Sequence, residues 1–146
     1  MSRGNCSVPA SMDSPVRTYP FPGTLDDVLG FELLDLSAER VHARFPVEKR
    51  VTQPMGLVHG GAYAALAESM VSMATHAAVE EDGSFAVEQS NSTTFLRPVN
   101  AGSIHAEGVA LHRGRTTWIW DVRFTDDDGR LCAITRMTMA VRPQAG

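Results

Sequence analysis

The stretch from Val51 to Val79 reads VTQPMGLVHGGAYAALAESMVSMATHAAV and holds no Lys, Arg or Asp and a single Glu, Glu68. His59 and His76 are its only groups that titrate near neutrality. The second half is rich in Ala, Leu and Met and free of Pro, which predicts a mostly buried helix from near Gly60 to about Val79. At ~1.5 Å per residue such a helix runs about 30 Å, enough to span a small domain. Glu80-Glu81-Asp82-Gly83 ends it with charge and a glycine. A carboxylate placed in such a helix is paired, turned to solvent, or held for chemistry.

Upstream of the helix, Arg50 to Gly56 reads as a loop containing Pro54. Glu39 to Val47 alternates Val41, Ala43, Phe45 and Val47 against polar neighbours, the pattern of a half-buried strand, and Phe31 to Ser37 precedes it as another. Thr24-Leu25-Asp26-Asp27 has the capping residue and acids of a helix start, with Gly30 as its stop. Residues 1–22 are Ser- and Pro-rich without an apolar signal core, and read as an irregular leader to a single domain over 23–146.

Downstream, everything is strand-like. Phe85 to Phe95, Ser103 to Leu111 (with Gly108 as a bulge or bend), Thr116 to Phe124 and Leu131 to Val141 are separated by the turns Arg97–Gly102 and Asp126-Asp127-Asp128-Gly129. Trp118, Trp120, Val122 and Phe124 share one face of their strand. The expected fold class is α+β: one antiparallel, meandering β-sheet wrapped around one long central α-helix. A single helix cannot cover the whole sheet, so association of subunits is expected.

Composition narrows the function. A length of 146 residues suits one domain, and a formal net charge of −4 carries no basic stripe for nucleic acid. No polybasic cluster suggests anionic lipid, and the tandem Gly, His59, Glu68 and His76 make the apolar run a poor membrane span. A cytoplasmic protein is the expectation. Cys6 and Cys132 are too few for a disulfide framework and lack zinc-ligand spacing, so no metal is expected.

At helical spacing Glu68 shares a face with Ala64, Ala65, Ser72 and Thr75, where small residues leave space beside the carboxylate. Gly60 and Gly61 fall at the helix N-terminus, where unpaired backbone N–H groups face outward and a carbonyl oxygen can approach closely. Donors of this kind form oxyanion holes, each worth ~3 kcal/mol. Gln53 in the preceding loop is a second polarising donor. His59 is either a hydrogen-bonder at the helix start or a base.

The string Gly56-Leu57-Val58-His59-Gly60-Gly61-Ala62-Tyr63-Ala64-Ala65-Leu66-Ala67-Glu68 resembles the signature of hotdog-fold thioesterases. Three more strings are similar to the Glu-using, soil-bacterial type of 4-hydroxybenzoyl-CoA thioesterase: Gln89-Ser90-Asn91 with Phe95-Leu96-Arg97-Pro98-Val99, then Thr116–Val122, then Gly129–Ala133. The resemblance spans roughly Thr24 to Pro143. It implies the hotdog fold and hydrolysis of an acyl-CoA thioester, with an aromatic acyl group, to free acid and CoA. Glu68 would be nucleophile or general base, Gly60 and Gln53 would polarise the carbonyl, and Ser72 would stand where relatives carry a Thr. Gly61, Asn91, Arg97 and Thr116 would bind substrate and CoA, and Arg115, a departure from the small hydroxyl residue of that pattern, would add a cation to pair with phosphate. No cofactor is implied, since CoA is part of the substrate. The site would be shared between subunits, with Gly60 and Gln53 from one and Glu68 and Ser72 from its partner. The homo-oligomer would be a dimer at minimum, and a tetramer as a dimer of dimers. Alternative readings are a non-catalytic acyl-CoA binder, a hotdog dehydratase, and a thioesterase for aliphatic or phenylacetyl groups.

Overall fold

The computed structural model describes the backbone of residues 17–18 and all of residues 22–145. The long helix, α2 (Gly60–Val79), starts and stops where the sequence places it, and a 3-10 turn over Glu80–Asp82 leads into Gly83 at φ 70°. Before it come β1 (Arg17–Thr18), the short helix α1 (Leu25–Leu29), β2 (Glu32–Leu36) and β3 (Arg40–Pro46). After it come β4 (Ser84–Phe95), β5 (Ser103–Arg113), β6 (Thr117–Thr125) and β7 (Leu131–Pro143). Gly30 closes α1 in the left-handed region, at φ 74°.

All strands join one antiparallel sheet in the order β1-β2-β3-β5-β6-β7-β4. The sheet is therefore not a plain meander. α2 carries the chain across the concave face, so β4 lands beside β7 at the far edge while β5 returns to β3. The expected leader is also not wholly irregular: Arg17 and Thr18 pair with Leu33 and Glu32 on β2. Residues 1–16 and 19–21, including Cys6, lie outside the described residues.

The core fills the space between α2 and the sheet. Leu66, Met70 and Val71 of the helix are fully buried against Phe45, Ile104, Trp120, Val122, Phe124, Met137 and Met139. Cys132 is a buried free thiol. Two polar side chains pin helix to sheet. The Trp120 indole N–H donates to Thr75 Oγ1 at 3.0 Å, and the Thr75 hydroxyl donates to the Val71 carbonyl at 2.8 Å. Thr75 therefore faces the sheet and not the Glu68 side.

The cause lies in the buried pairs 62–63, 66–67, 70–71 and 74–75, which recur every four residues. A four-residue repeat on a 3.6-residue helix turns the buried stripe by about 40° per turn, which follows the twist of the sheet. Gly108 is likewise not a bulge. It sits in regular register with Val41 and Val122, and a Cβ there would stand 2.7 Å from Val41 Cγ1. The bulge falls between Ala110 and His112, at the exposed Leu111.

The outer face of the sheet is polar. His42 lies between Asp35 (2.8 Å) and Glu107 (2.9 Å), and Arg136 pairs across strands with Asp121. Among the described residues, no helix is long and apolar enough to cross a membrane.

Replacing Thr75 by Val keeps the shape but leaves the buried Trp120 N–H without an acceptor. It should lower stability by ~1–3 kcal/mol in urea unfolding followed by tryptophan fluorescence.

Candidate active site

α2 begins at His59, whose Nδ1 accepts from the Gly61 N–H at 2.8 Å. His59 N–H in turn donates to the Val51 carbonyl, fixing the turn against the 3-10 segment Lys49–Val51. His59 is thus the cap of the helix. The Ala62 N–H returns to the His59 carbonyl at 2.9 Å, and among the described residues no acceptor takes the Gly60 N–H. That amide is a donor at the positive end of a 20-residue helix.

Gly60 opens into a cleft of about 400 Å³ whose walls include Gln53, Tyr63, Phe95 and Arg97. A Cβ on Gly60 would lie 2.6 Å from Phe95 Cζ, so only glycine fits beneath that ring. The Gln53 side-chain oxygen accepts from the Met55 N–H, which leaves its NH2 end as a donor beside the same cleft. Gly61 needs its small size for a different reason: a Cβ would come within 2.9 Å of the capping His59 nitrogen.

Glu68 lies two turns further along α2, about 12 Å from Gly60 along the helix axis. It is exposed, and borders a separate hollow of about 270 Å³ with Leu25 and Asp26 of α1, Ala65 and Ser69. The Ser69 hydroxyl donates to Asp26 at 2.5 Å, tying α1 to this part of α2. Partial burial on the helix flank, then the carboxylates of Glu88 on β4 and Asp26 on α1, hold the Glu68 carboxyl above the usual range. Its basicity is raised accordingly. Ser72, one turn on, has a hydroxyl shut from solvent with no hydrogen-bond partner among the described residues.

One chain therefore brings Gly60, Gln53 and Arg97 together, and separately places Ser72 a turn from Glu68. It does not bring the two groups to one cleft. Arg115 and Thr116 lie elsewhere again, in the β5–β6 turn, where the Thr116 carbonyl accepts from the Val141 N–H at the far end of β7 from Arg97. The Arg97 N–H donates to the Cys132 carbonyl at the near end. Asn91 is engaged within the chain, its amide donating to the Ala64 carbonyl of α2 at 2.9 Å.

Sequence reasoning missed Glu88 and Asp26 as neighbours of Glu68, because both come from other elements. It also missed Phe95 as the roof over Gly60. No cluster of three or more His, Cys, Asp or Glu side chains suited to a metal occurs among the described residues.

An unpaired amide at a glycine-opened helix start, with a basic carboxylate further along the same helix, is the equipment of an acyl-transfer site. The profile of the thioesterase superfamily matches residues 55–133, which include both groups. The chain belongs to the thioesterase superfamily. Membership makes it a hydrolase of acyl thioesters, with the helix-in-sheet fold of its relatives.

Thioesterase PA1618 of Pseudomonas aeruginosa, solved as a variant with one glutamine changed to alanine, is 38% identical. It superposes with a TM-score of 0.80 over 84% of this chain and 88% of that one. The proofreading thioesterase EntH of Cronobacter turicensis is 39% identical over 119 residues, 82% of this chain and 86% of its own length. Thioesterase SAV0944 of Staphylococcus aureus is 25% identical, with a TM-score of 0.73 over 77% of this chain and 93% of that one. It has been solved in two variants that replace a glutamine and, fifteen positions later, a glutamate by alanine.

Changing His59 to Ala removes the cap acceptor and should cost about 1 kcal/mol of stability in urea unfolding, whereas His59→Asn should retain most of it.

Proposed function

We propose that this thioesterase hydrolyses an acyl-CoA whose acyl group is aromatic, in a site that two subunits complete. The reading rests chiefly on Gln53 and Glu68. They stand fifteen positions apart on loop and helix, the residue types and spacing replaced in the two Staphylococcus aureus variants. The thioester oxygen accepts from the Gly60 N–H, with the Gln53 amide beside it, and negative charge develops where these donors point. The carboxylate of Glu68 then attacks the carbonyl carbon to give an anhydride that water opens, or takes a proton from the attacking water. Either way water is consumed, the carbon–sulfur bond breaks, and the thiol leaves with a proton.

The separation of about 12 Å between Gly60 and Glu68 supports a shared site, since a rigid helix cannot close that gap within one chain. β4 supports it too. Among the described strands it pairs only with β7, most of its residues are exposed, and it carries Phe95 at 56% exposure. An open strand edge of twelve residues is the natural place for a second copy to pair. A dimer joined there sets α2 of each chain beside its counterpart, so that Glu68 and Ser72 of one protomer can face Gly60 and Gln53 of the other. A tetramer pairs two such dimers. The aromatic preference is supported by the Tyr63 and Phe95 rings that wall the Gly60 cleft. Arg97 on its rim suits a CoA phosphate, and Arg115 and Thr116 serve the same ligand from another protomer.

Glu68→Gln should reduce kcat for benzoyl-CoA at least ~100-fold with folding retained. Removing a neighbouring negative charge lowers the pKa of Glu68. Glu88→Gln should therefore move the acid limb of the kcat/KM–pH profile to lower pH, and an unmoved limb would assign that limb to another group. Single turnover in heavy-oxygen water tests for the anhydride: label in Glu68 reports an anhydride opened by water at the glutamyl carbon, whereas the general-base route puts the label in the released acid alone.

Mixing Glu68→Gln with Gly60→Ala, each inactive alone, should restore about a quarter of wild-type activity, because half the random dimers carry one intact site of two. No recovery on mixing would place the whole site in a single chain.

A further inference from the structure

The inner face of β4 carries polar groups where a core strand would carry apolar ones. Opposite the buried Met139, Met137, Thr135 and Ala133 of β7 it sets Glu88, Asn91, Thr93 and Phe95. Residues paired across a ladder point to the same side of a sheet, so these four side chains face α2. A bulge makes the alignment. Gln89 is the extra residue between Glu88 and Ser90, and without it Asn91 would fall opposite Arg136, on the outer face.

Asn91 and Thr93 belong to a hydrogen-bond chain that can run in one direction only. The Asn91 amide donates to the Ala64 carbonyl at 2.9 Å, and the Thr93 hydroxyl donates to Asn91 Oδ1 at 2.8 Å. Thr93 Oγ1 also lies 2.8 Å from Thr135 Oγ1. A hydroxyl has one proton, and that of Thr93 goes to Asn91, so the Thr135 hydroxyl donates to Thr93. The chain therefore starts at a buried residue of β7, crosses the edge strand and ends on the helix. The Thr93 proton on Oδ1 also orients the Asn91 amide, turning its NH2 end to α2.

The carbonyl at the end of this chain belongs to the site. In an α-helix the Ala64 carbonyl takes the N–H four residues on, that of Glu68, and its second lone pair is open to another donor. Asn91 thus grips α2 one turn ahead of Glu68, at the backbone group bonded to Glu68 itself. Glu88, on the same face of β4, is with Asp26 of α1 one of the two acids that act on Glu68.

We propose that Asn91 is a positioning residue of this enzyme: with Thr93 and Thr135 it ties the edge strand to α2 at Ala64 and so fixes the gap between Glu68 and the wall of β4. The inference rests on the reading of Glu68 as the reacting carboxylate. It gives Asn91 a place in the framework of the site instead of the substrate contact that the family resemblance implies. Without the tie β4 draws back, Glu88 recedes and water enters beside Glu68, and both changes lower the affinity of Glu68 for a proton.

The test follows the Glu68 carboxyl through a pH titration by carbon NMR in ligand-free protein, alongside steady-state kinetics on benzoyl-CoA. Asn91→Ala should move the Glu68 midpoint to lower pH and reduce kcat ~10-fold or more, with KM within about threefold of wild type. Thr93→Val, which leaves the Asn91 amide free to turn, should move both in the same direction to a smaller extent. Thr93→Ser, which keeps the hydroxyl, should match wild type. An unmoved midpoint in Asn91→Ala overturns the inference. A raised KM with kcat unchanged overturns it as well, since that is the mark of a substrate contact. Full activity in Glu68→Gln ends the catalytic reading of Glu68 instead, a result on which the midpoints of the Asn91 and Thr93 variants do not depend.

Discussion

The fold depends on one surface: the buried stripe of α2 laid into the concave side of the sheet. Leu66, Met70 and Val71 are wholly buried there, in one cluster with Trp120, Val122 and Phe124 across from them. Hydrophobic area supplies the drive but does not specify the helix's rotation. Thr75 does that. Its hydroxyl is the acceptor for the Trp120 indole, so a rotation of α2 that buried the same area would strand a donor in the core. The rotation decides which side chains look outward, and Glu68 is among them.

The same constraint sets the electrostatics. Small residues on the outward side let α1 and β4 approach, and each delivers an acid near Glu68, Asp26 from one and Glu88 from the other. Like charges beside a carboxylate are unfavourable for stability and useful for proton transfer, because they raise its affinity for a proton. At the other end of the helix the requirement is for absence: Gly60 must lack a side chain, because the Phe95 ring lies where one would go. One helix thus carries a carboxylate made more basic and an amide left bare, the two groups on which the proposed mechanism draws.

Much of this was legible in the sequence. α2 could be placed from Gly60 to Val79 because a charge-free, Pro-free run ends at a glycine pair and an acidic turn, all local signals. The alternation of Trp118, Trp120, Val122 and Phe124 on β6 was equally local, and all four are buried. What failed was non-local. The place of β4 beside β7 depends on which edge α2 leaves free, which no short window encodes. Thr75 was assigned to the Glu68 side by a strict helical period, but the buried stripe follows the twist of the sheet. Gly108 looked like a bend because glycine often marks one, whereas here Val41 occupies the space of its side chain. At the candidate site, the sequence pointed to Gly60, Gln53 and Glu68, and the fold sets Gly60 and Gln53 on one cleft and Glu68 on another. Their division between two clefts was not legible from periodicity and is a matter of distance along a rigid rod.

The strand order has a kinetic side. The β3–β5 ladder runs from Arg40 with Val109 to Pro46 with Ser103, and the β4–β7 ladder from Ser84 with Pro143 to Phe95 with Ala133. Both join residues far apart in sequence, from 38 to 69 positions. The pairings available to neighbours in sequence are the β2–β3, β5–β6 and β6–β7 hairpins. Such high contact order puts refolding in the slow, milliseconds-to-seconds regime of sheet-rich domains, with the β2–β3 hairpin and the three-stranded meander β5-β6-β7 as the units of local pairing. The edge strand then docks last, so the element that offers itself for pairing is also the last to be protected during synthesis.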